Sequence, residues 1–335
     1  MRIYTPDQAL IDIGASYLRA VSVSYLFSGV TQCYYLKMKV EGKPGKSVLI
    51  SIVTLVTDVV LDTFLIYGLA GAPKLGANGS AYTTVIVELI GLVWCIAESH
   101  RKDSIHPDRK SFFWFSPAIT KDFLKIAFPM LGSSLAWGVG FSLHSLIMGH
   151  LGSDATAAAS IASVVQEIVT CVCKGVSAGA GIILGKLLGQ SLFDKAKFYG
   201  KKLCHISFAV GGIHMVLLAL IGPILVHFFL LTDAARQYLI WMLLFMALYV
   251  FAYSINTIVV CGIFPAGGDA NYDAISVFFA SWCFSLPLAL LGTFVFHWPV
   301  MAIYIAMCAD EIVKLPWILP RYKKYLWLRN LTRES

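Results

Sequence analysis

The sequence contains few charged residues. Asp, Glu, Lys and Arg make up 13% of its 335 positions, while 58% of the positions are hydrophobic. Ordinary soluble domains carry about 25% charged residues, and a soluble protein of this size needs polar residues to cover its surface. The shortage of charge therefore excludes a water-soluble globular protein. Lipid accepts this much apolar surface, so the chain is predicted to be an integral membrane protein.

Several signatures of other protein classes are also missing. The eight cysteines all lie in apolar stretches, and their one close pair, Cys171 and Cys173, does not have the spacing of a disulfide framework or a zinc site. No phosphate-binding loop is present, which excludes ATP-driven pumping by this chain. The loops offer only a few polar groups, such as His100 and Asp103, for a lipid-modifying enzyme. We therefore expect a protein that is not an enzyme and has no cofactor.

The hydrophobic residues form nine stretches that approach or exceed the roughly 20 residues needed to cross a bilayer. The predicted fold class is therefore an all-α integral membrane protein, a multi-pass bundle of about nine transmembrane helices. We expect Pro129, Pro287 and Pro316 to kink or break the helices that contain them. The predicted spans are 13–36, 47–68, 76–97, 121–148, 155–188, 203–231, 237–264, 272–296 and 298–319.

Basic residues are distributed unequally between the two sides of the predicted bundle. One side receives most of them, whereas the other side has Arg2, Lys74 and Arg236. The positive-inside rule identifies the richer side as cytoplasmic and predicts a cytoplasmic C-terminus in the plasma membrane, which we expect to be a bacterial cytoplasmic membrane. The same distribution accounts for the net charge of +7 without a nucleic-acid partner. The residues on the richer side are Lys37, Lys39, Lys43, Lys46, Arg101, Lys102, Arg109, Lys110, Lys121, Lys195, Lys197, Lys201, Lys202, Arg321, Lys323, Lys324, Arg329 and Arg333.

An internal repeat is also visible. At an offset of about 222 residues, Tyr82 and Glu88 in the third span fall on Tyr304 and Asp310 in the ninth. The two segments share the order span, polar glycine-containing loop, span, short loop, span with an acid. This duplication is typical of transporters. The repeat unit would contain six spans, of which the first three spans of this chain form only the second half.

The ordered set of motifs resembles the multidrug and toxic compound extrusion (MATE) family of transporters. The most specific part resembles the family's fifth-to-sixth helix signature. The loop Gly267, Gly268 and Asp269 resembles the one after the family's tenth helix. The matching positions are Leu61, Asp62, Leu65, Ile66, Gly68, Gly71, Ala72, Pro73, Leu75, Gly76, Ala77, Gly79, Ala81 and Thr84, then Gly152, Ala155, Ala157, Ala158, Ala159, Gly175, Ala178, Gly185, Gly189, Gln190 and Lys195.

The resemblance implies that the chain corresponds to the fourth through twelfth helices of a two-lobed, twelve-helix fold. Residues 1–97 would form the second half of the N-terminal six-helix lobe, 98–120 a cytoplasmic linker between the lobes, 121–320 the C-terminal lobe, and 321–335 a basic cytoplasmic tail. It also implies a secondary antiporter that exports a small, cationic and amphipathic compound in exchange for H⁺ or Na⁺ by alternating access. We expect it to work as a monomer in the lipid bilayer.

Asp58 and Asp62 are the leading candidates for cation coupling. They lie four residues apart in the second span and share a helix face. Two carboxylates this close in a low-dielectric environment cannot both stay charged without a proton or a cation, so the pair is predicted to bind H⁺ or Na⁺. The resemblance assigns a cation-binding acid to Asp62 and a hydroxyl in the same cavity to Thr84, but commonly has Asn at the position of Asp58. The alternative is that both acids bond Thr54, Thr57 or backbone and only hold helices together.

Other intramembrane polar residues are candidates for lining a cavity. Glu167 and Lys174 lie two turns, about 11 Å, apart on one face, which is too far for a direct bond but suits two groups facing one cavity. For Glu88, Asp310 and Glu311 we favour structural pairing, with Asp310 bonded to Lys314 and Glu311 reaching a loop. The set of candidate cavity residues is Glu167, Lys174, Glu88, Asn256, Trp137 and Tyr253.

Two observations leave other functions open. The fourth span, where the family has an acid in its seventh helix, contains none between Ile126 and Met148. The family's first helix, which carries a key acid in one branch, has no counterpart here. A truncated inactive remnant or scaffold and a lipid-linked oligosaccharide flippase of the same superfamily are therefore the alternatives. A flippase would need several basic residues for pyrophosphate, whereas basic residues such as Arg19 and Lys174 are few in the spans.

Overall fold

The computed structural model describes residues 8–71, 73–100 and 117–330, and the regular structure in those ranges is entirely helical. The chain divides into two compact units, Met1–Phe115 and Ser116–Ser335. Most of the predicted linker, with its basic residues, lies outside the described residues, as do Arg2, Ala72 and Arg333.

The first unit contains three long helices: α1 spans Gln8–Val40, α2 spans Pro44–Tyr67, and α3 spans Ala77–Ser99. Pro44 begins α2, where its missing N–H and fixed φ are tolerated. The helix α3 packs against both α1 and α2.

Two glycines shape the turn between α2 and α3. Gly68 ends α2 in the left-handed conformation (φ 72°), and its N–H donates to the carbonyl of Phe64. Gly79, at the start of α3, lies so close to α2 that an added Cβ would come within 2.8 Å of the Leu65 carbonyl oxygen. The turn therefore holds α2, which carries Asp58 and Asp62, against α3, which carries Glu88.

The second unit contains six long helical stretches. Two of them include π-helical segments, Thr257–Ile263 after α7 and Phe278–Ser285 between α9 and α10. The α-helices are α4 (Pro117–His150), α5 (Ser153–Gly189), α6 (Phe193–Leu225), α7 (Asp233–Asn256), α8 (Phe264–Ala266), α9 (Ala270–Val277), α10 (Leu286–Phe294) and α11 (Val300–Lys323).

The π-helical segments occur beside polar contacts. Gly262 in the first segment approaches α5 so closely that an added Cβ would lie 2.8 Å from the Ser177 carbonyl oxygen. The Ser177 hydroxyl donates to the Thr257 carbonyl over 2.8 Å. Such π-bulges are frequent at functional sites.

The three prolines that were expected to kink or break helices lie in helical segments. Pro287 follows the second π-helical segment, in the first turn of α10, whereas Pro129 and Pro316 lie within α4 and α11.

Each of the nine predicted spans overlaps one long helical stretch in the part of the chain that the structure describes. Seven of these stretches are long and apolar enough to cross a membrane. The other two are α1 and α11. Ser and Tyr residues lower the mean hydropathy of α1, and α11 carries Asp310, Glu311 and Lys314 in its middle. The predicted all-α multi-pass class is confirmed, and its count is approximately right.

The C-terminal end of the second unit is anchored by Trp327. This side chain is completely buried, stacks on Tyr322, and packs on Gly200 of α6, where an added Cβ would lie 2.5 Å from the indole ring. Its carbonyl oxygen lies so close to Gly267 that an added Cβ there would be 1.5 Å away. The described segment just after α11, with Trp327, therefore packs against the unit as part of its core.

Candidate functional site

In the first unit, α2 and α3 bring three acids together. Asp58 and Asp62 lie one turn apart on α2, and Glu88 lies on α3; all three are partly buried. Asp58 interacts electrostatically with both Asp62 and Glu88. No ion pair involves any of the three within the described ranges. The three carboxylates therefore form a group that lacks a cationic side chain.

The hydrogen bonds of Asp62 are incomplete. Its Oδ2 atom accepts a long bond, 3.4 Å, from the Ser80 hydroxyl of α3. Its Oδ1 atom is buried and has no hydrogen-bond partner among the residues that the structure describes. An unsatisfied buried carboxylate oxygen is costly unless a proton or a cation reaches it. Asp62 thus offers a buried oxygen to such a partner.

The purely structural alternative for the two aspartates would require bonds from nearby threonines. Thr54 donates to the carbonyls of Ile50 and Ser51, and Thr57 donates to that of Val53, so both hydroxyls bond the backbone of their own helix. Thr84 likewise donates to the Ser80 carbonyl. The threonine bonds of that alternative are absent from the described contacts, and the coupling role of Thr84 stays a prediction.

Glu88 has a partner on α1. Its carboxylate interacts with the Ser28 side chain. It also lines a small cavity of about 120 Å³ together with Thr31 and Ser51, and the buried Thr31 hydroxyl has no hydrogen-bond partner in the described part of the chain. We favoured structural pairing for Glu88. The structure gives it a contact with one hydroxyl group, that of Ser28, beside a small polar cavity.

The second unit contains a larger polar cavity, of about 780 Å³. Helices α4, α5, α7, α9 and α11 and the first π-helical segment contribute to its walls. Four of the six candidate cavity residues line it, namely Trp137, Lys174, Tyr253 and Asn256. The structure also places Ser133, Ser177, Asp273, Glu311 and Lys314 in its wall.

A buried ion pair forms one side of this cavity. Lys314 Nζ lies 2.5 Å from Glu311 Oε1, and each side chain is only 5% exposed. Asn256 of α7 donates to the main-chain carbonyl of Glu311 over 2.7 Å and to its Oε2 over 2.8 Å. The Asn256 Oδ1 atom is left buried without a hydrogen-bond partner in the described structure.

Two aspartates flank the ion pair. Asp273 of α9 accepts a hydrogen bond of 2.7 Å from Ser133 of α4. Asp310 accepts one of 3.1 Å from Ser281 and one of 2.8 Å from the N–H of Glu311. Both carboxylates interact electrostatically with Lys314. Hydroxyl and backbone donors orient them, while one lysine supplies the nearby positive charge.

Three expectations about these residues are wrong. Glu167 and Lys174 bond directly, Oε2 to Nζ, at 2.5 Å, because two long side chains extended along the helix close the gap between backbone positions two turns apart. Lys314 pairs with Glu311, because the longer glutamate reaches it while the short Asp310 side chain turns back to the N–H of Glu311. Glu311 does not reach a loop, since it is buried against Asn256.

Asp273 is the cavity acid that sequence reasoning missed. It lies at the start of the eighth predicted span, where an acid is usually a boundary residue in contact with water or headgroups. Its partner Ser133 is 140 residues away in the sequence. One signal could have revealed it. The fourth and seventh spans contain polar residues such as Ser133 and Asn256 but no acid in their middle, so acids that bond these residues had to lie on other helices.

Comparison with known proteins identifies the family. The MatE family profile matches residues 129–291. The chain is 22% identical over 320 residues to an uncharacterised transporter, YisQ, of Bacillus subtilis, covering 95% of this chain and 68% of that protein. It is 22% identical to the probable multidrug resistance protein YoeA of the same species, covering 98% and 72%. The probable multidrug resistance protein NorM of Agrobacterium fabrum is 27% identical over 74% of this chain and 55% of its own length.

Solved structures agree with the fold. A mutant of the Vibrio cholerae MATE transporter VcmN superposes with a TM-score of 0.81 at 17% identity, over 97% of this chain and 72% of that one. An inward-facing MATE family transporter superposes with a TM-score of 0.74 at 16% identity, over 96% and 74%. The names of these relatives describe transporters, as expected for a chain that is not an enzyme. In sequence and in fold, the chain is therefore similar to the MATE family of multi-pass membrane transporters.

Proposed function

We propose that the protein is a secondary antiporter that exports small cationic, amphipathic compounds in exchange for H⁺ or Na⁺, with Asp62 as the coupling residue. The observation that carries the proposal is the buried Oδ1 atom of Asp62, which has no hydrogen-bond partner within the described ranges. The multidrug resistance proteins among the relatives favour the same class of cargo.

Asp62 has the properties that a coupling group needs. Such a group must bind an ion in one state of the transporter and release it in another, so its charge cannot be neutralised permanently by a lysine or arginine. Asp58, one turn away, adds a second negative charge that favours the uptake of a cation. Binding of H⁺ or Na⁺ at this pair would lower the cost of holding it in a low-dielectric environment, and release would restore that cost.

The cavity of the second unit favours a cationic cargo over a pyrophosphate-linked one. Trp137 and Tyr253 offer aromatic faces that attract cations. The two lysines in the wall, Lys174 and Lys314, are each paired with a glutamate at 2.5 Å. The described lining therefore contains no unpaired basic side chain for a phosphate group, which weighs against the flippase alternative. We expect the protein in the cytoplasmic membrane, with its C-terminus in the cytoplasm.

The test is coupled transport by an Asp62→Asn variant. Everted membrane vesicles containing the protein would be energised with either a proton or a sodium gradient, and ethidium would serve as the cationic probe. We expect Asp62→Asn to lose at least about 10-fold in gradient-driven ethidium movement, because the amide cannot exchange a cation. The gradient that drives the unsubstituted protein identifies the coupling ion.

The matched control is Asp12→Asn. Asp12 is an exposed acid near the start of α1 that accepts a bond from Gln8 over 3.0 Å. This variant removes one carboxylate from the same unit without touching the acid cluster, and we expect its transport to equal that of the parent. Unchanged ethidium movement by Asp62→Asn, at equal amounts of protein in the membrane, would refute the proposal.

A further inference from the structure

The second unit contains three carboxylates around a single lysine. Asp273, Asp310 and Glu311 each interact electrostatically with Lys314. Lys314 is 4% exposed, Glu311 4% and Asp310 6%. A lysine so completely buried is unusual unless it is paired, and here its ammonium group bonds Glu311 and lies within electrostatic range of two aspartates.

One side-chain oxygen in the cavity wall that contains Lys314 has no hydrogen-bond partner among the described residues. The Asn256 Nδ2 group donates two hydrogen bonds, both to Glu311, and these bonds fix the orientation of the amide. The Asn256 Oδ1 atom is consequently a buried acceptor with no partner in the described part of the molecule, at a residue that is 4% exposed and lines the cavity. Carboxylate and amide oxygens are the ligands that hard cations prefer in proteins.

We propose that Lys314 is a built-in cation, which occupies the position that a free monovalent cation would otherwise take among these oxygens. The ammonium group supplies one positive charge. Because it is covalently attached to α11, its effective concentration at this position is high, and it competes with dissolved cations. Lys314 therefore takes the place of one Na⁺ in the polar cluster of the second unit. Replacement of Lys314 by a neutral residue converts the cluster into a site for Na⁺.

This inference goes beyond the proposed function, because it concerns the cluster of the second unit and does not depend on coupling at Asp62. A lysine that only fills space and pairs with Glu311 would leave no sodium dependence when it is replaced. A lysine that takes the place of a cation would leave a vacant position with acidic oxygens around it. The two roles therefore differ in the response of the variant to sodium.

The experiment measures thermal unfolding of the purified protein in detergent, followed by tryptophan fluorescence, in choline chloride and in sodium chloride at equal ionic strength. All proteins carry Asp58→Asn and Asp62→Asn, which removes any sodium response of the first unit. In this background we expect sodium to raise the Tm of Lys314→Met by about 3 °C or more, since a ligand that binds only the folded state stabilises it. The parent background should show no such rise.

Two controls isolate the charge at this position. Lys314→Arg keeps a positive charge, and we expect no sodium response. Lys174→Met removes a lysine of the same cavity wall whose salt bridge is largely exposed, at 42% and 60%, and we expect no sodium response there either. If Lys314→Met does not fold, Lys314→Gln is measured in the same way. A Tm of the neutral variant that is equally high in choline and in sodium, or a sodium rise of the same size in the parent background, overturns the inference.

Discussion

The two lysine–glutamate pairs of the second unit allow a direct test of how burial determines the strength of an ion pair. Both pairs have an N–O separation of 2.5 Å. In the first pair, Glu311 and Lys314 are each 5% exposed, whereas in the second Glu167 is 60% and Lys174 42% exposed. Distance is thus equal and solvent exposure differs, so the matched variants Glu311→Gln and Glu167→Gln compare burial alone.

Glu311→Gln should be strongly destabilising. Removal of one partner from a buried pair costs about 3–5 kcal/mol, because the other charge remains in a low-dielectric environment. We expect the lower end of that range, since Asp273 and Asp310 still interact with Lys314 and the glutamine can still accept from Asn256. One kcal/mol shifts Tm by about 2–4 °C in a domain of this size, so the expected fall is about 6–12 °C.

Glu167→Gln should change the Tm far less. The Glu167–Lys174 pair lies at the polar cavity that Lys174 lines, and an ion pair that water reaches contributes about 0–1 kcal/mol. The corresponding shift is at most about 4 °C. Thermal unfolding of the purified variants in detergent, followed by tryptophan fluorescence, measures both. The reasoning is wrong if Glu311→Gln unfolds within about 2 °C of the unsubstituted protein, the smallest shift expected for 1 kcal/mol, or if the two variants fall equally.

Three further predictions concern the fold and topology. Trp327→Ala should lower the stability of the second unit by about 3–5 kcal/mol, because it empties a fully buried indole site, and Trp327→Phe should lose less; denaturation of the purified variants compares them. Gly267→Ala should fail to accumulate as folded protein, because its Cβ would lie 1.5 Å from the Trp327 carbonyl oxygen, whereas Gly132→Ala, with nothing within 4 Å, should accumulate normally by size-exclusion chromatography. In a cysteine-free background, a membrane-impermeant maleimide added to whole cells should label a cysteine introduced at His297 but not one at Lys197, and the reverse pattern would invert the predicted topology.

The spans could be predicted from the sequence because each depends on local composition. A run of apolar residues bounded by charges or by glycine and proline specifies a membrane helix with little information from the rest of the chain. The predicted end of the second span at residue 68 agrees with the structure for the same reason, since a left-handed helix end favours glycine. The π-helical segments could not be predicted from the sequence, because they depend on contacts with other helices. An example is the close approach of Gly262 to Ser177 of α5.

The site could be predicted only in part, because its contacts are non-local or depend on rotamers. Asp58 and Asp62 were identifiable as a pair from their spacing alone. The role of Asp273 depends on Ser133, which is far away in the sequence. The Glu167–Lys174 bond depends on two extended side chains that helical periodicity does not describe. Periodicity identifies the face on which a residue lies, but not how far its side chain reaches along that face.

The acids of the two units differ in the source of their counter-charge. Asp273, Asp310 and Glu311 have Lys314 close by, whereas Asp58, Asp62 and Glu88 have no ion-pair partner in the described ranges. A tethered ammonium group cannot leave, so the share of negative charge that Lys314 balances is not available to bind and release an ion during each transport cycle.

A cluster without such a group must take its counter-charge from solution, and that requirement is what couples ion movement to conformational change. Among the described residues, the three acids of the first unit have no ion-pair partner, so they take all of their counter-charge from solution. We therefore propose that exchangeable cations bind the pair Asp58 and Asp62, whereas Lys314 has a permanent electrostatic role. A search for coupling acids by residue type alone would treat all six carboxylates as equivalent and would miss this difference.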